Sequence, residues 1–199
     1  MVRPTLRRVT SPVTWKDWIE TAERAYLDVA GKHQKVIVCG ESLGGLLSLY
    51  LAAHYQQILG VVLYAPAVKV KRIWQAALLW PLVKIIPKGY GGRDEDGHLP
   101  WQGYNVIVVP AANQLRKFQK KVRRVMPKVR QPVLIFQGEQ DHTVDPSGAQ
   151  LIYNSIGSKE KELLWMQRSG HCIILHNERE QVYKKTHHFI ESVLESGSK

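Results

Sequence analysis

Ser42, Asp141 and His171 are the residues whose types and surroundings could together carry nucleophilic chemistry in this chain. A serine hydroxyl is a weak nucleophile. It needs a base to take its proton, and the base needs a third group to hold its tautomer. Ser42 stands in Gly40-Glu41-Ser42-Leu43-Gly44, directly after the β-branched run Lys35-Val36-Ile37-Val38-Cys39 and ahead of an apolar, helix-forming stretch. Strand, sharp turn and helix make the context of a nucleophile elbow. Such a turn forces the serine into a strained backbone conformation, and the missing β-carbons at Gly40 and Gly44 are expected to relieve the crowding. The hydroxyl then stands over a helix N-terminus, whose dipole and free N–H groups favour developing negative charge. The plainer alternative is a glycine-rich strand-to-helix turn whose serine only caps the helix.

The acid and the base come late in the chain. Pro132-Val133-Leu134-Ile135-Phe136-Gln137 reads as a buried strand that runs into the polar loop Gly138 to Pro146. The C-terminal ends of parallel strands are where sites form. Asp141 is the candidate acid, whereas Asp145, just before Pro146, reads as the N-cap of the next helix. Lys161 to Met166 reads as the following strand, and Ser169-Gly170-His171 follows it. His171, past a strand end and preceded by glycine, is the candidate general base. His142, His176, His187 and His188 lack that setting. His98 in a polar loop, His33 in a turn and His54 in a helix read as surface or structural histidines, and Cys172 reads as a small buried thiol.

The elements that must position these groups are four strands, Lys35–Cys39, Gly60–Tyr64, Pro132–Gln137 and Lys161–Met166, separated by helices. A helix from Thr14 precedes them. Thr14 and Asp17 form a capping-box arrangement, Trp15, Trp18, Ile19, Ala22, Tyr26 and Val29 form its apolar stripe, and Gly31 ends it.

Taken together, Gly40-Glu41-Ser42-Leu43-Gly44-Gly45, the Gly138…Asp141…Val144-Asp145-Pro146 loop and Ser169-Gly170-His171 resemble the carboxylesterase and monoacylglycerol-lipase branch of the α/β-hydrolase superfamily. The likeness covers roughly residues 14 to 66 and 128 to 195, including a closing helix after Asn177-Glu178-Arg179-Glu180. It implies a three-layer α/β fold with a mostly parallel sheet and a small helical cap. It implies Ser42 as nucleophile, Asp141 as acid and His171 as base, with the Leu43 backbone N–H as one oxyanion donor. The reaction implied is hydrolysis of a carboxylic ester through an acyl-enzyme, with no metal or organic cofactor.

The resemblance also marks a departure. The family carries several strands before the elbow strand, and a His-Gly type loop there supplies the second oxyanion N–H. The stretch before Lys35 reads instead as one helix preceded by Met1 to Val13, which is basic and contains no glycine. Losing one oxyanion donor costs about a hundred- to a thousandfold in turnover. The sheet is expected to be truncated, with the Val36 strand at an exposed apolar edge suited to pairing, including homodimerisation. Three readings stay open: a fragment of a longer chain, a minimal hydrolase that covers its edge, and an inactive relative that binds a partner.

Residues 69–128 fall where the family places its cap, so the expected organisation is one domain over residues 1–199 with that insertion. Ile73 to Val83 is apolar on nearly every side. A helix of that kind is buried or faces a ligand. It reads either as a lid over Ser42, with Trp74, Leu78 and Val83 lining an acyl pocket, or as a helix packed on the core. Asp94 and Asp96, in the loop from Gly89 to Gly97, lack the remaining ligands of a calcium loop, so no metal is expected. From Ala111 to Val129, Leu115, Phe118, Val122, Val125 and Met126 recur at helical spacing. Arg116, Lys117, Lys120, Lys121, Arg123 and Arg124 fill much of the opposite face. Such a face is a solvated one or docks an anionic membrane surface.

The 199 residues carry a formal charge of +11 and an isoelectric point near 9.7. No nucleic-acid fold, zinc spacing or stacking pattern accompanies that charge, so nucleic acid is not an expected partner. Two cysteines do not make a disulfide framework. No signal-peptide pattern and no apolar run of about 18 residues is visible, which favours the cytoplasm. The expected substrates are short- or medium-chain acyl esters, monoacylglycerols among them. A serine aminopeptidase-like enzyme is an alternative, with Glu41 or Glu139 as an acidic anchor for a free N-terminus.

Overall fold

The structure, a computed structural model, describes residues 13–80, 82–87 and 106–196. Helix α1 (Trp15–Ala30) opens on Thr14, whose N–H and hydroxyl both donate to the Asp17 carboxylate at 2.6 Å. Ile19 and Tyr26 are buried, and Trp15, Trp18 and Ala22 pack against the same core. Val29 leaves the expected stripe and is 43% exposed. Gly31 ends the helix with φ −70°, not in the left-handed conformation a closing glycine often takes.

Strand β1 (Ile37–Glu41) runs up to Ser42, two residues further than expected, and helix α2 (Leu43–His54) follows at once. Then come β2 (Gly60–Tyr64), the short helix α3 (Gln75–Leu79), and β3 (Ile85–Pro87) paired antiparallel with β4 (Val106–Val108). Helix α4 (Val109–Val125) leads through a 3₁₀ turn to β5 (Val133–Gly138). Helix α5 (Ser147–Ser155), β6 (Lys161–Met166) and α6 (Arg179–Ser196) complete the described chain.

The four strands expected from the sequence form one parallel sheet in the order β1-β2-β5-β6. Side chains alternate along a strand, so each strand serves two layers. Val61, Leu63, Val133 and Ile135 enter one core, which holds Leu46 and Leu49 of α2, Phe118 and Val122 of α4, and Ile152 of α5. Val62, Leu134, Phe136 and Met166 point the other way, with Val182 and Phe189 of α6. Each fully buried Leu or Phe contributes about 2 kcal/mol. The result is a three-layer α/β fold in which β1 is a terminal strand among the described residues. Cys39 lies on it, exposed.

The insertion differs from its expected form. The helix read over Ile73–Val83 is limited to Gln75–Leu79, where Ala76 is buried. The loop from Gly89 to Gly97 and His98 lie outside the described residues. The base of the insertion is tied to the acid loop: Val70 bridges Val144, the Asp145 N–H donates to the Lys69 carbonyl at 2.8 Å, and Lys71 Nζ donates to the Asp141 carbonyl at 2.9 Å. Helix α4 buries Phe118, Val122 and Val125, with Met126 in the turn that follows, while Lys117, Lys120, Arg123 and Arg124 are exposed. Among the described residues no helix is long and apolar enough to cross a membrane.

Candidate active site

The turn after β1 has the strain expected of it. Ser42 adopts φ 53° and ψ −113°, a region that L-residues rarely occupy. Two backbone hydrogen bonds hold it there: the Ser42 N–H donates to the Tyr64 carbonyl at 2.9 Å, and the Ala67 N–H donates to the Ser42 carbonyl at 3.0 Å. The two glycines of the motif have different roles. A β-carbon on Gly40 would lie 2.3 Å from the Gly44 carbonyl group, so only glycine fits. A β-carbon on Gly44 would meet nothing within 4 Å, which corrects the expectation that both glycines relieve crowding. The Ser42 side chain does not cap α2. Its hydroxyl instead lies 3.0 Å from His171 Nε2.

Asp141 is buried at the end of β5, and its Oδ2 stands 2.8 Å from His171 Nδ1. An ionised carboxylate only accepts hydrogen bonds, so Nδ1 carries the proton and Nε2 is left to accept from Ser42 Oγ–H. Oδ1 of Asp141 accepts the backbone N–H groups of Thr143 and Val144, each at 2.8 Å. Burial pushes this carboxyl up. The His171 hydrogen bond, its charge and the two backbone donors outweigh that and hold it below the usual carboxylate range. Asp145, as expected, serves the next helix: its Oδ1 accepts the Ser147 N–H at 3.0 Å.

The His171 loop is fitted to this geometry from several sides. A β-carbon on Gly138 would lie 2.3 Å from the Gly170 carbonyl oxygen and 2.4 Å from that of Ser169, so the acid strand and the base loop touch through backbone alone. Glu178 Oε2 accepts the Arg168 N–H at 2.9 Å and the Ser169 hydroxyl at 2.7 Å. Gln137, fully buried, donates to Asp141 Oδ2 at 3.3 Å. Glu178 and Gln137 escape sequence reasoning. Their one signal is a polar residue at a strand end or a helix start, and that signal is common.

Leu43 opens α2, so its N–H has no intrahelical acceptor. It directly follows Ser42, the position from which an oxyanion donor is expected. The expected acyl-pocket residues are not enclosed: Trp74 is 59% and Leu78 is 67% exposed, and Val83 is half-buried. Glu139 is exposed beyond β5, while Glu41 is half-buried at the elbow. Among the described residues no cluster of His, Cys, Asp and Glu could hold a metal ion.

Comparison with known proteins follows the same lines. A family model described as serine aminopeptidase, S33, matches residues 14–180. The chain is 26% identical over 176 residues to a thermostable monoacylglycerol lipase of Bacillus sp. strain H-257, covering 88% of this chain and 70% of that enzyme. It is 26% identical over 182 residues to a carboxylesterase of Bacillus subtilis strain 168, covering 90% of this chain and 72% of the relative. A solved structure among the metagenome-derived lipolytic enzymes LipS and LipT superposes with a TM-score of 0.83 at 29% identity, over 92% of this chain and 78% of that one. The Paleococcus ferrophilus monoacylglycerol lipase shares the fold with a TM-score of 0.71 at 17% identity, over 92% of this chain and 76% of the other. The family match over most of the chain and the shared fold agree, and the chain belongs to the serine aminopeptidase S33 family of α/β-hydrolases, where its likeness runs to the monoacylglycerol lipases and carboxylesterases.

Proposed function

We propose that the chain hydrolyses carboxylic esters of short- and medium-chain acyl groups, monoacylglycerols among them, through a Ser42 acyl-enzyme. The observation that carries this reading is the hydrogen-bonded line from Asp141 through His171 to Ser42, at 2.8 and 3.0 Å. Such a line lets His171 Nε2 take the hydroxyl proton as Ser42 Oγ attacks the ester carbonyl. The Leu43 N–H faces the negative charge that develops on the carbonyl oxygen. His171 then gives its proton to the leaving alcohol, and the same nitrogen activates the water that releases the acid. Asp141, held by the backbone of Thr143 and Val144, fixes the imidazole tautomer and stabilises its cation.

The cap bears on how substrate arrives. Trp74, Leu78 and Leu82 are spaced four residues apart and are 59%, 67% and 87% exposed. Exposed cations flank them at Arg72 and Lys84, and α4 adds Lys117, Lys120 and Arg124. Apolar side chains set among cations suit the surface of an anionic membrane or micelle that holds acyl esters.

A fluorophosphonate probe with mass-spectrometric identification of the modified residue tests the proposal. Labelling at Ser42, lost in His171→Ala, is the expected result. A folded chain that is not labelled would overturn the reading and leave a binding role. The family's description supports a second reading, an aminopeptidase. Turnover of an aminoacyl amide in preference to an acyl ester would favour it.

A further inference from the structure

Strand β5 places Val133 and Ile135 in the core it shares with α2 and α4, and Gln137 falls next on the same face. An amide is costly to bury there unless its polar atoms are paired. Gln137 is fully buried. Its Nε2 donates to the Gly138 carbonyl at 3.1 Å and to Asp141 Oδ2 at 3.3 Å. Its Oε1 is buried and finds no hydrogen-bond partner among the described residues. Turned over, the amide would set Oε1 against the Asp141 carboxylate, so the carboxylate fixes which way the group faces. Gln131, buried just before the same strand, contrasts with it. There Nε2 donates to the carbonyls of Ala52 and Tyr55 at 2.9 and 3.3 Å, and Oε1 accepts the Arg130 N–H at 3.0 Å. That amide joins backbone to backbone and pairs both its ends. The Gln137 amide gives up a partner for Oε1 and keeps a donor on the candidate acid.

An ionised carboxylate offers about four acceptor sites. Oδ1 of Asp141 takes the N–H groups of Thr143 and Val144 at 2.8 Å each, and Oδ2 takes His171 Nδ1 at 2.8 Å and Gln137 Nε2 at 3.3 Å. The three shorter bonds set the carboxylate's orientation, so the share left to the amide is in its charge. A donor on a carboxylate oxygen stabilises the ionised form and lowers its proton affinity. Such a carboxylate pulls less on the imidazolium it faces. We propose that Gln137 is a positioning residue for the ester hydrolysis proposed above, acting through Asp141: its amide takes up part of the Oδ2 charge and so leaves His171 neutral, and able to accept the Ser42 proton, at a lower pH than Asp141 alone would allow. The proposal rests on that reading of Ser42 and His171. Other charged and titratable groups face the pair: Lys71 Nζ on the Asp141 carbonyl at 2.9 Å, Glu178 on the N–H of Arg168 ahead of His171, the charge of Glu41 at the end of β1, and His142 next in the chain. A change at Gln137 leaves all of them in place.

Gln137→Leu and Gln137→Met remove the donor and the unpaired oxygen at similar volume. The test follows the His171 imidazole by NMR titration, and ester turnover against pH, in the wild type, both variants and Gln131→Leu. In both Gln137 variants the imidazole transition and the acid limb of turnover are expected about half a pH unit higher, because Oδ2 then gives its charge to His171 alone. On that limb kcat should be about threefold lower at a given pH, with KM little changed. Gln131→Leu, which removes a backbone-joining amide, should lower the urea midpoint and leave the transition in place. An unmoved transition in Gln137→Leu and Gln137→Met would overturn the proposal. A downward move would do the same, since it would mean that the amide holds Asp141 in place for His171. An equal displacement in Gln131→Leu, or failure of both Gln137 variants to fold, would reduce the amide to a structural bond and overturn it as well. If Ser42 is not labelled by the fluorophosphonate in the wild type, the ester-hydrolase reading fails, and the imidazole transition still decides for or against Gln137.

Discussion

Two regions of this molecule, the elbow that carries Ser42 and the cap segment from Trp74 to Leu82, are rich in apolar residues, yet they are built in opposite ways. The elbow sits on a parallel sheet whose strands are buried on both faces, and every group of the candidate triad is held by more than one neighbour. The cap segment from Trp74 to Leu82 has a similar density of large apolar side chains but turns most of them outward. Composition is alike in the two places, and the layer underneath differs. Chemistry needs fixed geometry and is placed where packing and backbone bonds over-determine it. A surface that meets a lipid or a varied acyl chain gains nothing from such constraint.

The sharpest break of this comparison is in turnover. Ser42→Ala and His171→Ala are each expected to lower turnover of a water-soluble chromogenic ester about a thousandfold or more. The triple change Trp74→Ser, Leu78→Ser, Leu82→Ser should leave that same turnover within about twofold. A large loss in the triple variant would place the cap in the chemistry and erase the contrast.

Within the elbow, stability sharpens it. Gly40→Ala drives a β-carbon to 2.3 Å from the Gly44 backbone and is expected to cost about 3 kcal/mol or more in urea unfolding. Gly44→Ala meets open space at a helical position and is expected to be neutral or to stabilise by up to about 1 kcal/mol. Equal effects would mean that the motif's glycines are interchangeable.

At the cap, flotation with anionic vesicles reads the surface directly. The triple serine variant is expected to bind about tenfold more weakly, and added salt to weaken the wild type. Unchanged flotation would remove Trp74, Leu78 and Leu82 from any lipid contact.

The smallest effect is a pH dependence where the cap meets the acid loop. Asp145 is lowered from 3.8 to about 2, first by its hydrogen bond to Lys69 and then by Ser147. A depressed folded value means that its stabilising share is fully present above the ordinary carboxylate value and is lost as pH falls toward 2. Asp145→Asn should lower the neutral plateau slightly and converge on the wild type as pH falls toward 2, which flattens the acid side of the stability curve. A loss equally large at pH 7 and pH 2 would contradict the assignment. The pair is partly exposed, so the effect is small.

Much of this was legible in the chain. Four strands were readable because parallel strands buried on both faces are written as continuous apolar runs. Ser42, Asp141 and His171 were readable because each follows such a run in a loop of polar residues and glycines. The separate roles of Gly40 and Gly44 were not, because both are glycine, and only the path of α2 past β1 says which one is crowded. Trp74, Leu78 and Val83 were expected to line a pocket because an all-apolar helix reads the same whether it faces a core, a ligand or water. Gln137 carried no readable role, since its meaning comes from Asp141 on the loop that follows β5.

By itself the sequence determined the strands, most of the apolar stripe of α1 and α4, and the placing of Ser42, Asp141 and His171 in loops after strands, because periodicity and turn chemistry are local and survive without a partner. The tertiary structure alone decided that Ser42 reaches His171 without capping α2, that Glu178 holds the start of the base loop, and that the cap's large apolar side chains look outward. Those outcomes depend on distances between segments far apart in the chain, and only the packed sheet sets them.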